Sequence, residues 1–182
     1  MKELFTQYKP FFLFLARFLG SYILLLIVYK IYLSNYIDHP DGITYLVAKQ
    51  SHWLLNFMGH PSSITPLENW VNLYCGPHNF YVRIVEGCNA ISVIILFSSF
   101  CIAFSAYLGR TIIYVLIGSF FIYLFNIFRI ALIVILVLKY PMWQRFLHDI
   151  LFPVLIYGFV FILWCLWLFK FSGYAKKYFI SK

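Results

Sequence analysis

The chain has 182 residues, of which 63% are hydrophobic and 11% are charged, with a formal net charge of +8. A soluble domain of this length needs more polar cover, so the composition excludes one and indicates an all-α integral membrane protein. The basic residues flank apolar segments and do not form one stripe, which argues against a nucleic-acid partner and favours membrane lipid.

Four apolar stretches are long enough to cross a bilayer, since about 20 residues span its core. They cover residues 11–33, 90–108, 111–138 and 150–169, and Gly109 and Arg110 form a tight connection between the second and the third. The first stretch is too long for the apolar part of a cleaved signal peptide, so we expect a retained helix. The 182 residues then form a single membrane domain.

Four spans place both termini on one side of the membrane. The positive-inside rule assigns the basic N-terminus, Arg110 and the C-terminal lysines to the cytoplasm. We therefore expect a multi-pass protein of a bacterial-type inner membrane, with residues 34–87 as an extracytoplasmic loop.

The long loop has internal structure of its own. Asp41 and Gly42 can start a helix, and Gly59 and Pro61 stop it. Apolar residues recur between these points at roughly helical spacing, which predicts an amphipathic helix at the membrane interface. These residues are Ile43, Leu46, Val47, Trp53, Leu54, Leu55, Phe57 and Met58.

Two short β-prone runs follow, at residues 70–74 and 80–85. They flank the turn-forming sequence Cys75-Gly76-Pro77-His78-Asn79 and predict a short β-hairpin. Its second strand would deliver Glu86, Gly87 and Cys88 to the top of the second span.

Three side chains suited to acyl transfer are expected at one membrane surface. Asn89 is a plausible N-cap of the second span, which would set Cys88 at a helix N-terminus that favours the thiolate. Arg129 is eighteen residues beyond Thr111, about 27 Å of helical rise, and so lies near the same surface. His148 precedes the fourth span, which descends from that surface.

These groups fit named chemical roles. A Cys88 thiolate would attack a peptide carbonyl, Arg129 would stabilise the oxyanion, and His148 would pass a proton to the leaving amine. Asn126 shares the helix face of Arg129. Asp149 follows His148, but helical neighbours point about 100° apart, so we assign it no orienting role.

Other interpretations remain open at this point. A Cys75–Cys88 disulfide would remove the nucleophile. Cys75 and His78 could bind zinc with His39, His52 or His60, but the spacing is irregular, and we expect neither a metal nor a cofactor. A small transporter or channel, or a scaffold for envelope assembly, would use the same polar residues without catalysis.

The ordered set Glu86-x-Cys88, Asn126-x-x-Arg129 and His148 resembles the exosortase/archaeosortase family. The short length is similar to the group called XrtF. The resemblance implies a membrane cysteine protease or transpeptidase with Cys88, Arg129 and His148 as catalytic residues. Its partners would be exported proteins that end in a short motif, a transmembrane helix and a basic tail. Asn89-Ala90 stands where many relatives have Ser-Gly.

Overall fold

Helices make up most of the chain that the computed structural model describes, which comprises residues 2–76, 80–105 and 107–172, with side chains from residue 8 onward. The predicted hairpin turn at residues 77–79, which includes His78, and the C-terminal lysines lie outside the described residues. In chain order the elements are α1 (Lys2–Leu33), α2 (Gly42–Phe57), β1 (Ser62–Pro66), β2 (Trp70–Cys75), β3 (Tyr81–Val85), α3 (Ile91–Ala103), α4 (Leu108–Lys139) and α5 (Pro141–Phe171).

Three of the described helices are long and apolar enough to cross a membrane, namely Tyr8–Leu33 of α1, all of α4 and all of α5. Helix α3 has 13 residues, which gives about 20 Å of rise against a hydrocarbon core of about 30 Å. The all-α membrane class is thus supported by three helices. A fourth crossing by α3 stays a prediction.

Helix α4 is the central helix. In its most apolar stretch 44% of the residues are buried, against 22% in α5 and none in α1. It packs against α2, α3 and α5, whereas α1 packs mainly on α3. Helices α3 and α4 approach closely at Gly118, because the ring of Phe97 occupies the space that a Cβ there would need.

The long loop folds into an αβ layer (residues 42–85), formed by α2 and a three-stranded antiparallel sheet in the order β1-β2-β3. Asp41 starts α2 because its Oδ1 accepts hydrogen bonds from the backbone N–H groups of Ile43 and Thr44, both at 3.0 Å. The N-cap agrees with the predicted start of this helix, and α2 ends at Phe57, just before Gly59.

The core of the αβ layer reaches onto α4. Val47 and Leu55 of α2 pack with Leu73 of β2 and with Ile130 and Val134 of α4, and all five are buried. At 32 residues α4 is about 48 Å long, well beyond the membrane core. The αβ layer packs on the C-terminal third of this helix.

The sheet differs from the predicted two-stranded hairpin. Strands β2 and β3 pair as expected, with Trp70 opposite Val85 and Tyr74 opposite Tyr81. A third strand, β1, adds to β2 with Ser62 opposite Cys75. Its sequence has little apolar alternation, so only pairing with β2 makes it a strand.

The connection before α4 also differs from the prediction. Helix α4 begins at Leu108, so Gly109 and Arg110 belong to its first turn and do not form the connection. Thr111 Oγ1 donates to the Tyr107 carbonyl at 3.0 Å and lies 2.6 Å from Ser105 Oγ. Helix α4 thus begins three residues before the predicted start at Thr111.

The apolar residues of α2 divide between two faces. Val47 and Leu55 are buried in the core, while Leu46, Trp53 and Phe57 are exposed, Phe57 to 77%. The apolar residues that predicted the amphipathic helix therefore do not all lie on one face. The exposed set still matches the amphipathic aromatic character expected at an interface, and that location stays a prediction.

Candidate active site

Cys88 ends a short 3-10 turn, Glu86–Cys88, that follows β3 directly. Its side chain is half-buried and its thiol is free. Cys75 is also a free thiol, but it is buried in the core of the αβ layer. Burial raises the pKa of the Cys75 thiol, which keeps it protonated and poorly nucleophilic.

The strand register keeps the two loop cysteines apart. Cys75 is the last residue of β2, whereas Cys88 follows Val85, which lies opposite Trp70 at the other end. Five strand residues span roughly 16 Å, far beyond the Cα separation that a disulfide allows. The Cys75–Cys88 disulfide is incompatible with this sheet.

Asn89, the residue after Cys88, is held in place by hydrogen bonds to three helices. Its Nδ2 donates to the Tyr29 hydroxyl of α1 at 2.8 Å and to Thr44 Oγ1 of α2 at 3.2 Å. Its Oδ1 accepts from the backbone N–H of Ile91, the first residue of α3, at 3.0 Å. The Asn89 side chain is 1% exposed, so these bonds are shielded from water.

The expected N-cap is therefore displaced by one residue. Ala90, not Asn89, occupies the N-cap position of α3, in the left-handed region at φ 66°. Asn89 makes the capping hydrogen bond from the preceding position. A left-handed alanine carries backbone strain, and the packed polar bonds on either side of it hold it in place.

Asn126 adds a fourth helix to this arrangement. Its Nδ2 donates to the backbone carbonyl of Cys88 at 2.7 Å. The residue is 1% exposed, and its Oδ1 has no hydrogen-bond partner among the described residues. Asn126 thus contacts the main chain of Cys88 and leaves a buried acceptor unused.

Arg129 lies one turn further along α4 and is half-buried. Its Nε is buried without a hydrogen-bond partner in the described part of the chain. The Cys88 thiol and the Tyr157 hydroxyl of α5 are near enough to interact with its charge electrostatically. A guanidinium with unused donors is suited to bind an incoming carbonyl oxygen.

His148 lies on a π-helical turn, Leu147–Leu151, near the start of α5. Its Nδ1 is 2.9 Å from Asp149 Oδ1, and the two side chains are 60% and 66% exposed. The argument that Asp149 points away was therefore wrong. Neighbouring side chains on a helix start in different directions, but rotation about the side-chain bonds lets the Asp149 carboxylate reach the ring.

A narrow cleft joins the three predicted catalytic side chains. It is lined by Cys88, Arg129 and His148, together with Val82, Arg83, Ile84, Ile130 and Ile133. Its volume is about 30 Å³, comparable to the space of one water molecule. The two supporting residues lie elsewhere, because Asn126 holds the main chain of Cys88 and Glu86 faces another pocket.

That second pocket has a volume of about 480 Å³ and is lined by Glu86, Gly87, His39, Asp41 and Trp70, among others. Glu86 also interacts electrostatically with the Tyr29 hydroxyl. In the described residues no group of three histidine, cysteine or acidic side chains is placed to hold a metal. His78 of the zinc alternative lies outside those residues.

Comparison with protein families relates the chain to a known group. The family model described as transmembrane exosortase matches residues 9–171. The search of curated proteins found no match, and the search of solved structures found none. The matched region contains α1 from Lys9 onward, the αβ layer and all three side chains of the cleft. The chain belongs to the transmembrane exosortase family.

Proposed function

We propose that the protein is a membrane-embedded cysteine protease or transpeptidase that cleaves the C-terminal sorting signals of exported proteins. The observation that carries this proposal is the shared cleft of Cys88, Arg129 and His148. These side chains are separated by up to 60 residues in sequence. Cys88 comes from the turn after β3, Arg129 from α4 and His148 from α5. Family membership supports the same chemistry.

The first half-reaction forms a thioester. The Cys88 thiol gives its proton to His148, and Sγ attacks the scissile carbonyl carbon. The carbonyl oxygen takes up negative charge beside Arg129, whose unused Nε–H can donate to it. His148 returns the proton to the leaving nitrogen, the C–N bond breaks, and the C-terminal segment departs as an amine.

The second half-reaction frees the enzyme. Water or an acceptor amine loses a proton to His148 and attacks the thioester carbon. The C–S bond breaks, and His148 passes that proton to Sγ, which regenerates the thiol. When Nδ1–H is donated to Asp149, Nε2 is the nitrogen that exchanges protons in both halves. Asp149 thereby favours the tautomer that the reaction needs.

The substrates we propose carry a short motif, a transmembrane helix and a basic tail. We further propose that the site works at the extracytoplasmic face of an inner membrane, with both termini in the cytoplasm. The charge distribution supports this orientation. The position of Arg129 beside the αβ layer, about 32 Å from the start of α4, is consistent with a cleavage site at the membrane surface.

A transporter or channel is less well supported. Binding groups of transporters lie near the bilayer midplane, commonly between broken helices. Here Asn126 and Arg129 lie about 27 to 32 Å from the start of α4, beside the αβ layer. An assembly scaffold would not need the unused donors and acceptors that surround Cys88.

The test compares two cysteine variants with one substrate. A co-expressed exported protein with the three-part C-terminus is analysed by intact mass, with wild-type enzyme, Cys88→Ala or Cys75→Ala. We expect Cys88→Ala to abolish the mass loss and Cys75→Ala largely to preserve it. Equal loss in both variants, or unchanged cleavage in Cys88→Ala, would refute the proposed nucleophile.

A further inference from the structure

Strand β3 has an open edge. It pairs with β2 on one side, and no described element pairs with it on the other. Cys75 N donates to the Phe80 carbonyl at 3.0 Å, which makes Cys75 and Phe80 a hydrogen-bonded pair of the ladder. Because such pairs alternate along antiparallel strands, Val82 and Ile84 bond to β2. Tyr81, Arg83 and Val85 therefore direct their backbone N–H and C=O groups outward.

The opposite edge of the same sheet, on β1, is partly protected. The bond from Leu67 N to the Trp70 carbonyl sets the ladder so that Ser62, Ile64 and Pro66 of β1 face outward. Pro66 has no N–H, and the N–H of Ser62 donates to Asn56 Oδ1 of α2 at 2.9 Å. Proline and side-chain capping are common protections of an edge strand.

The open edge lies next to the candidate catalytic cleft. Val82, Arg83 and Ile84 line that cleft together with Cys88, Arg129 and His148. The strand also runs directly into the turn that ends at Cys88. The residues whose backbone groups point outward are themselves exposed to solvent, Tyr81 to 43% and Val85 to 41%.

We propose that the substrate binds as a fourth strand on the open edge of β3, so that its main chain lies across Cys88. The occupant is the extended segment of an exported protein that precedes its transmembrane helix, and this inference rests on the proposed function. A folded or helical segment could not pair with the edge, whereas an extended chain offers matching groups at every second residue.

Edge pairing explains how the site can orient a scissile bond within a narrow cleft. Hydrogen bonds to Arg83 and Val85 fix the substrate's register relative to Cys88, because these residues and the nucleophile belong to one continuous backbone. The carbonyl is then presented between Sγ and Arg129. Since the bonds are made to the main chain, varied side chains are accepted at the positions that face solvent.

The test removes one backbone donor from the edge. Arg83→Pro loses the outward N–H, and its ring fills the pairing position, while the ladder to β2 keeps its bonds. Arg83→Ala is the matched variant, since it loses the same guanidinium but keeps the N–H. Cleavage of the co-expressed substrate is followed by mass. We expect Arg83→Pro to cleave at least about tenfold more slowly than Arg83→Ala; equal rates would overturn the proposal.

Alkylation by N-ethylmaleimide shows whether the fold survives. This small reagent does not need the strand, so we expect Cys88 to react at equal rates in both variants while Cys75 stays protected. If Arg83→Pro exposes Cys75, the sheet has not survived the substitution. Edge pairing is then tested by amide hydrogen exchange in Cys88→Ala, which keeps the native strand. Substrate should slow exchange at Tyr81, Arg83 and Val85, and unchanged exchange there would overturn edge pairing. Failure of the proposed function would give a different result, namely continued cleavage by Cys88→Ala.

Discussion

The two sides of the candidate active site are held with different firmness. On one side, Asn89 and Asn126, both 1% exposed, fix the backbone at Cys88 through hydrogen bonds that involve four helices. On the other side, His148 lies on a π-helical turn, and its hydrogen-bond partner in the described residues is the equally exposed Asp149.

This contrast indicates which side yields when a substrate enters. Leaving a buried polar group without its partner costs about 1–3 kcal/mol, whereas an exposed ion pair contributes about 0–1 kcal/mol. A cleft of about 30 Å³ must widen around a peptide. We therefore expect the exposed His148 side chain to move, while the Cys88 turn stays in place.

The largest effect is expected at the loosely held side. His148→Ala should lower cleavage about 10²- to 10⁴-fold, because the general acid and base is lost. The melting temperature should not change, since the side chain is 60% exposed. Added imidazole should restore part of the activity. Turnover and thermal unfolding of the purified protein measure both expectations.

Gln144→Ala is the matched control for His148→Ala, because Gln144 is exposed and lies one turn earlier on α5. It should cleave at the wild-type rate. A fall in melting temperature for His148→Ala would mean that this side is as firmly held as the other.

The next effect is expected at the firmly held side. Asn126→Leu removes the hydrogen bond to the Cys88 carbonyl and leaves that carbonyl unpaired. A small displacement of a nucleophile can cost about 10²-fold in rate. Here the melting temperature should fall as well, by an amount equivalent to about 1–3 kcal/mol of unfolding free energy.

Tyr123→Phe separates stability from positioning. Tyr123 lies one turn before Asn126 on α4. The substitution breaks the 2.6 Å hydrogen bond from the Tyr123 hydroxyl to Gln50 Oε1 of α2 and leaves the contacts of Cys88 intact. We expect a similar fall in melting temperature with near wild-type turnover. If Asn126→Leu and Tyr123→Phe lose activity equally, Asn126 acts through global stability and has no positioning role.

Local signals in the sequence predicted much of the fold. Asp41 and Gly59 mark the limits of α2, and the unbroken apolar run predicted α4 as one long helix. Strand β1 could not be predicted in this way, because Ser62-Ser63-Ile64-Thr65-Pro66 acquires its structure from β2. The division of apolar residues on α2 likewise depends on which elements cover each face.

The site was partly accessible to the same reasoning. Counting helical rise from Thr111 brought Arg129 to the level of Cys88, and the two side chains line one cleft. The contact between Asn89 and Tyr29 joins residues 60 positions apart, so no local pattern indicates it. The Asp149 contact depends on side-chain torsions, which sequence spacing does not specify.

The smallest effect is expected at Asp149, and it tests the comparison most directly. Asp149→Asn should slow cleavage about two- to fivefold, because an exposed hydrogen bond to a carboxylate orients His148 only weakly. High salt should reduce the difference from wild type, since it screens the carboxylate. Asp38→Asn, which removes an exposed charge away from the cleft, should cleave at the wild-type rate at every salt concentration. A thousandfold loss in Asp149→Asn, unaffected by salt, would instead mean that the pair becomes buried when substrate binds. The His148 side would then be as ordered in the working enzyme as the Cys88 side already is.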